Sequence, residues 1–275
     1  MPNIKKERID KVLVSRGVTD SRTKAQSLLM AGKVTVSGEK VEKAGTLVLP
    51  DAAIEVQGKE KEWVSRGALK LLKALDVFPL SPSGKICVDI GASTGGFTQV
   101  LLAFGADRIY SVDVGYGQLA WPLRNDSRVV VMERTNARNL RREDFQHTPD
   151  IVVADASFIS LKLLLPPMDA FLSLSAEGIV LVKPQFEVGK GKVGKGGVVR
   201  SKEDHISVLE GIIDFCRQQT SFIPAGLTFS PVTGPMGNIE YLLHIVKGYD
   251  RDVPFFPASV VEKAHLFFAE GKGES

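Results

Sequence analysis

Apolar residues recur at helical spacing over residues 7 to 17 (Ile9, Val12, Leu13) and again over 21 to 32 (Ala25, Leu28, Leu29). The spacing predicts two short helices, the second opened by the capping residues Asp20 and Ser21 and closed by Gly32. KVTVSGEKV, from Lys33 to Val41, then alternates around Ser37-Gly38, a hairpin signal, and Ala53 to Val56 supplies one more strand. The charged residues 58 to 62 break the pattern and read as a linker ending near Trp63, an aromatic expected to pack at a domain junction. Gly67 to Val77 reads as an amphipathic helix. From residue 85 the pattern becomes apolar runs separated by helical stretches, with strands expected at 85 to 91, 108 to 114, 129 to 133, 150 to 155 and 178 to 183. Such alternation builds a mostly parallel sheet with helices on both faces. The end differs, because 222 to 232 and 239 to 246 follow each other through a Thr-Gly-Pro turn without a helix, which predicts an antiparallel hairpin at the sheet edge before a last helix over about 258 to 270. The pattern therefore divides the chain into a small α+β domain over 1 to 58, a linker over 59 to 65, and an α/β, Rossmann-like domain over 66 to 275.

Composition sharpens this division. With 275 residues, 44% of them apolar, the chain can bury a core in one large domain and a second in a small one. The net charge is only +3, but the first 61 residues hold 12 Lys and Arg against 8 Asp and Glu, so the excess positive charge lies at the N-terminal end. A local basic end points to a polyanionic partner. Cys87 and Cys216 both fall in apolar settings and read as buried thiols of a reducing compartment. His147, His205, His244 and His265 show no ligand-like spacing, so no metal site is expected. No apolar run reaches the length of a membrane span and the Lys- and Glu-rich N-terminus lacks the apolar core of a signal peptide. A cytoplasmic protein without membrane partners is the expectation.

The segment Lys85 to Phe97, KICVDIGASTGGF, carries most of the chemistry. An apolar strand runs into an acid, Asp89, and then into a glycine-rich turn, Gly91 to Gly96, that opens a helix with free N–H groups. A dinucleotide turn reads G-x-G-x-x-G, and Ser93 stands where its second glycine would admit a pyrophosphate. NAD is thereby disfavoured against S-adenosylmethionine, whose amino-acid end and sulfonium call for an acid and bare backbone. Asp113 ends the next strand 22 residues after Gly91, about where doubly wound folds place an acid on ribose hydroxyls. Gly189, Gly194 and Lys195 imitate a P-loop, but Gly196 occupies the position that must offer magnesium a hydroxyl. That run reads better as a basic loop able to settle on a phosphate backbone. Charged residues at strand ends stand out as well. Asp155 closes IVVA, Lys183 closes GIVLV, Glu240 lies within IEYLLHIV, and Lys70 sits on the helix before the first strand. Each alone reads as a structural ion pair, yet all four can converge in one crevice.

Taken together, WVSRGALKL, DIGASTGGFT, VDVGYGQLAWPLRND, ERTNAR, VADASFISL, LVKPQFEVGKG and GNIEYLL resemble, in order, the haemolysin-named TlyA family of ribosomal RNA 2′-O-methyltransferases, relatives of the FtsJ methyltransferases. The resemblance implies an N-terminal RNA-binding module shared with a small-subunit ribosomal protein, followed by a class I methyltransferase domain that uses S-adenosylmethionine. It implies a catalytic tetrad of Lys70, Asp155, Lys183 and Glu240. It extends the cofactor contacts over Asp89, Gly91, Ser93, Gly95, Gly96 and Phe97, and over Asp113, Asn136 and Asp155. The implied partners are ribosomal RNA and ribosomal subunits, with cytidine as the modified nucleotide in 16S or 23S rRNA. In this reading Lys183 aligns the ribose hydroxyl and either takes its proton or steadies its developing charge, with Lys70 as a neighbouring cation and Asp155 and Glu240 holding the side chain. A membrane-active haemolysin and an RNA-binding protein without catalysis are the competing functions.

Overall fold

The N-terminal segment builds a small core from very short elements. The computed structural model describes residues 6–19, 21–56, 63–189, 191–194, 196–248 and 254–271. Two units emerge from the packing, Met1–Glu62 and Trp63–Ser275. In the first, β1 (Glu7–Arg8) leads into α1 (Ile9–Ser15) and α2 (Arg22–Met30), followed by β2 (Val34–Val36), β3 (Glu39–Lys40), β4 (Leu47–Val48) and β5 (Ile54–Val56). Ile9, Leu13, Ala25, Leu29 and Val34 form its core. The Ser21 hydroxyl accepts from the Lys24 N–H and caps α2, whereas Asp20 lies outside the described residues. Ser37 and Gly38 both adopt positive φ, 52° and 86°, the geometry of a tight hairpin turn between β2 and β3. The helix expected from residue 7 begins instead at Ile9, because Glu7 and Arg8 pair antiparallel with Val48 and Leu47. Asp10 then becomes the organising polar group of the unit. It is fully buried and accepts from Arg8, Arg22 and Gln26, and those bonds hold its carboxyl well below the usual carboxylate range.

The second unit contains the α/β sheet. Its elements are α3 (Gly67–Val77), β6 (Ile86–Ile90), α4 (Gly96–Ala103), β7 (Arg108–Val112), α5 (Trp121–Arg124), β8 (Val129–Met132), β9 (Ile151–Ala154), α6 (Leu165–Phe171), β10 (Glu177–Val182), α7 (Pro184–Glu187), α8 (Lys202–Gln219), β11 (Ile223–Phe229), β12 (Tyr241–Val246) and α9 (Pro257–Ala269). The seven strands lie in the order β8, β7, β6, β9, β10, β12, β11. All neighbours are parallel except β12, which runs antiparallel to both β10 and β11. The fold is that of a Rossmann-like α/β domain with an antiparallel C-terminal hairpin.

Strand alternation sends two side-chain sets to opposite faces. Cys87, Ile109, Val153, Ile179, Leu181 and Leu242 pack under α3 and α4 with Ala68, Leu71, Phe97 and Leu101. Val88, Val112, Val152, Val180 and Leu243 face the other way, against Met168 and Phe171 of α6, Ile212 and Cys216 of α8, and Val261 and Ala264 of α9. Trp63 is partly buried against the α3 side. Residues 59–62 of the expected linker, and Lys195 of the basic loop, lie outside the described residues. Chain order reverses between β6 and β9, so a crevice opens beyond their carboxyl ends.

One acid is built into the layer beneath α4. Asp89 is fully buried, its Oδ2 accepts from the Thr98 hydroxyl at 2.7 Å, and its Oδ1 has no hydrogen-bond partner among the described residues. Burial pushes its pKa up to about 7, with Thr98 acting the other way. The folded-state value stands above that of the unfolded chain. The group therefore stabilises the fold fully below about pH 4, and that contribution is lost as pH rises through about 7. Urea unfolding of Asp89→Asn, which cannot ionise, should shift in the variant's favour relative to wild type across this window, by up to about 1.4 kcal/mol per pH unit. A difference that stays constant with pH would contradict it.

Candidate active site

Four charged side chains from four separated segments meet where the strand order reverses. Lys70 projects from α3, Asp155 follows β9, Lys183 follows β10 and Glu240 precedes β12. The Lys70 Nζ lies 3.0 Å from Asp155 Oδ2 and 2.7 Å from Glu240 Oε2. The Lys183 Nζ lies 2.6 Å from Asp155 Oδ1 and donates to the Ser157 hydroxyl at 2.9 Å. Gln185 donates to the other oxygen of Glu240 at 3.3 Å. The result is a chain in the order Lys183, Asp155, Lys70, Glu240, Gln185.

This order corrects the expected one in two ways. Glu240 holds Lys70 and Gln185 instead of Lys183. Asp155 stands between the two lysines, so Lys70 does not act on Lys183 as a bare neighbouring cation. Burial opposes the charge on Lys70, but Asp155 and Glu240 more than offset it and hold its pKa above the ordinary lysine value. Burial likewise opposes the charge on Asp155, yet Lys70 and Lys183 keep its carboxyl below the usual carboxylate range. The buried charges persist because each is paired.

Two cavities meet beside this chain and share Gly91, Ser93, Asp155 and Ser157. One, of about 320 Å³, is bounded by Lys70, Lys183, Phe97, Gly96 and the 232–235 turn. The other, of about 370 Å³, runs over the ends of β6 and β7 past Asp113, Asn136, Val114, Ala137 and Ile159. Its polar groups include the Asp113 carboxylate and the Asn136 amide beside apolar walls of Val112, Val114, Ala137 and Ile159, which fits an adenosine with ribose hydroxyls near Asp113. Asp113 accepts the Ser93 N–H at 2.8 Å on one oxygen and the Gly115 N–H at 2.7 Å on the other, leaving lone pairs for further donors. The first of these bonds holds Ser93 at φ 49°, so the serine makes a left-handed turn where a dinucleotide site has glycine.

The three turn glycines serve different ends. At Gly91 (φ 81°) an added Cβ would lie 2.7 Å from the Asp155 carbonyl oxygen, so only glycine lets β6 end this close to the acid. At Gly95 it would strike Leu123 of α5, and at Gly96 the Ser65 hydroxyl. Gly95 and Asp89 line neither cavity, and the structure brings them to packing positions behind the turn. Ser157, Gln185 and Gln118 join the site without having been singled out in the sequence. Ser157 lies two residues beyond Asp155 and Gln185 two beyond Lys183, a proximity to strand-end charges that could have marked both.

At the basic loop, Lys192 pairs with Asp204 at 2.8 Å. The end of the loop is pinned where the Val199 N–H donates to Asn238 and Asn238 donates to the Gly197 carbonyl.

The sequence matches the FtsJ-like methyltransferase family over residues 63–247 and the S4 domain over residues 7–54. It is 47% identical over 248 residues to the 16S/23S rRNA (cytidine-2′-O)-methyltransferase TlyA of Mycobacterium tuberculosis, covering 90% of this chain and 92% of the relative. It is 42% identical over 240 residues to Hemolysin A of Brachyspira hyodysenteriae, covering 87% and 99%. A solved structure from Streptococcus thermophilus, named as a hemolysin, superposes with a TM-score of 0.72 at 41% identity, covering 98% of both chains.

The close approach at Gly91 yields a direct test. Gly91→Ala forces a Cβ against backbone and strains a positive φ, and should cost about 1–3 kcal/mol in denaturant unfolding. Unchanged stability would mean that β6 and the Asp155 backbone can separate freely.

Proposed function

We propose, since the chain belongs to the FtsJ-like methyltransferase family, that it transfers a methyl group from S-adenosylmethionine to the ribose 2′-hydroxyl of cytidine in ribosomal RNA, with ribosomal subunits as substrate and the cytoplasm as its place of action. The observation that carries this reading is the paired chain of Lys183, Asp155, Lys70 and Glu240 bordering a cavity that continues into the Asp113 slot. The M. tuberculosis relative, whose name gives rRNA cytidine 2′-O-methylation, supports the substrate class.

Gly91, Ser93, Asp113 and Asn136 would hold the cofactor, with Asp113 on its ribose hydroxyls. When bound, S-adenosylmethionine supplies a methyl group attached to a cationic sulfur, an electrophile that needs an aligned nucleophile. A ribose hydroxyl is a weak nucleophile at neutral pH and must be oriented in line, with its developing negative charge stabilised. Lys183 does this. Asp155 and Ser157 fix its Nζ, and the ammonium steers the hydroxyl oxygen and offsets the negative charge developing there, while the hydroxyl proton passes to solvent water. Lys70 holds Asp155 from the other side, and Glu240 holds Lys70. The N-terminal unit, matched to the S4 domain, carries the basic surface that engages RNA phosphates. The hemolysin name belongs to the Brachyspira relative and to the Streptococcus thermophilus structure. Among the described residues, no helix here is long and apolar enough to cross a membrane.

Transfer of label from S-adenosylmethionine to purified ribosomal subunits tests the proposal. Lys183→Ala should lower turnover by about a hundredfold or more while calorimetry shows cofactor affinity nearly unchanged, because the lysine meets the hydroxyl and not the adenosine. A variant retaining more than roughly a tenth of wild-type turnover would remove Lys183 from the mechanism.

A further inference from the structure

The segment linking Asp155 to the 3₁₀ turn at Leu161–Leu163 contains an uncommon backbone. Phe158 adopts φ 62°, a left-handed conformation that costs a bulky residue energy, and its ring is 91% exposed, so core burial does not hold it there. Such a conformation persists only where both ends of the segment are fixed. At one end, the Asp155 N–H donates to the Ile90 carbonyl at 2.9 Å, and Lys183 grips the Asp155 carboxylate and the Ser157 hydroxyl. At the other, a single side chain accepts twice. Glu187 takes the Ser160 hydroxyl on Oε2 at 2.6 Å and the Leu161 N–H on Oε1 at 2.7 Å.

Glu187 has a particular place in the chain. It ends α7, the one-turn helix that begins immediately after Lys183. Its carboxylate therefore ties the segment carrying Lys183 to the segment carrying Asp155 and Ser157. Burial pushes its pKa up, opposed by the two hydrogen bonds and by the charge of Lys162. A half-buried carboxylate held mainly by neutral donors is a poor device for stability alone. It is an effective one for register, because two oxygens bonded to consecutive residues fix both position and orientation.

We infer that Glu187 is a positioning residue for the methyl-transfer reaction, latching the strained 155–161 segment so that Asp155 and Ser157 remain on the Lys183 Nζ. The inference rests on the proposed methyltransferase reading. Without the latch, Phe158 relaxes toward an ordinary backbone conformation, the Ser157 hydroxyl leaves Lys183, and the ammonium loses one of its two anchors. Asp113 and Gly91 lie on other segments and keep their places.

The test compares full-length wild type, Glu187→Gln, Ser160→Ala and the double variant, using S-adenosylmethionine and purified ribosomal subunits. Glu187→Gln cannot accept from both donors in the same way. Measured at saturating S-adenosylmethionine, its kcat should fall by about tenfold or more, a larger factor than any rise in the dissociation constant for the cofactor, whose slot Ala156, Phe158 and Ile159 of the same segment also line. Ser160→Ala removes one donor and should give a smaller loss. The double variant should be no worse than Glu187→Gln, because both changes break one latch. Thermal unfolding of all four proteins separates a local effect from a general one.

A Glu187→Gln kcat within about twofold of wild type would overturn the latch, as would multiplicative losses in the double variant. Loss of cofactor affinity in parallel with kcat, accompanied by a lowered melting temperature, would also overturn it, since Glu187 would then serve the fold alone. Wild-type protein that transfers no label would instead defeat the methyltransferase reading on which the latch depends.

Discussion

A carboxylate withdrawn from water must be neutralised or it will not stay charged, and the site is arranged around that requirement at Asp155. Each of its oxygens meets a different lysine, Lys183 at 2.6 Å and Lys70 at 3.0 Å. Lys70 in turn needs a second anion because it too is buried, and Glu240 provides it from the far end of the chain. Removing any one of these groups takes a counter-charge from another, so the four hold one another in place. The sheet supplies the framework. Asp155, Lys183 and Glu240 sit at the adjoining ends of β9, β10 and β12, and α3 lowers Lys70 onto them.

The same constraint explains the glycine turn. The Asp155 backbone is fixed by its bond to Ile90, and the chain leaving β6 passes so near that a Cβ at Gly91 would touch its carbonyl oxygen. The two cavities thus meet at Gly91 and Asp155, which line both. In the proposed reaction, a methyl donor in one cavity faces a hydroxyl in the other at this junction, within reach of Lys183. A bulkier turn would hold the two apart.

Much of this was legible in the sequence because the relevant signals are local. The apolar runs located each strand of the large sheet to within a few residues, and the lack of a helix between the last two runs gave the antiparallel hairpin. Residues at strand ends could be singled out for carrying charge after an apolar run. What the sequence did not disclose depends on contacts between distant segments. Glu240 was expected on Lys183, but which lysine it meets is decided by how α3 lies across the sheet, 170 residues away in the chain. Asp89 was expected at the cofactor. Strand alternation turns it under α4 instead, where Thr98 receives it. The β1–β4 pairing was missed because two-residue strands have no period to detect. Ser157 and Glu187 carry no pattern of their own, and their importance follows from the partners they meet.

In the proposed reaction Lys183, held by Asp155, acts on a ribose hydroxyl. Ribosomal RNA from subunits incubated with the protein and isotopically labelled S-adenosylmethionine, digested to nucleosides and resolved by mass spectrometry, tests it directly. Labelled 2′-O-methylcytidine is expected, with the added mass on the ribose fragment and about a hundredfold less of it in the Lys183→Ala reaction. Label on a base fragment, or ribose label kept above roughly a tenth of the wild-type level without Lys183, would contradict the assignment.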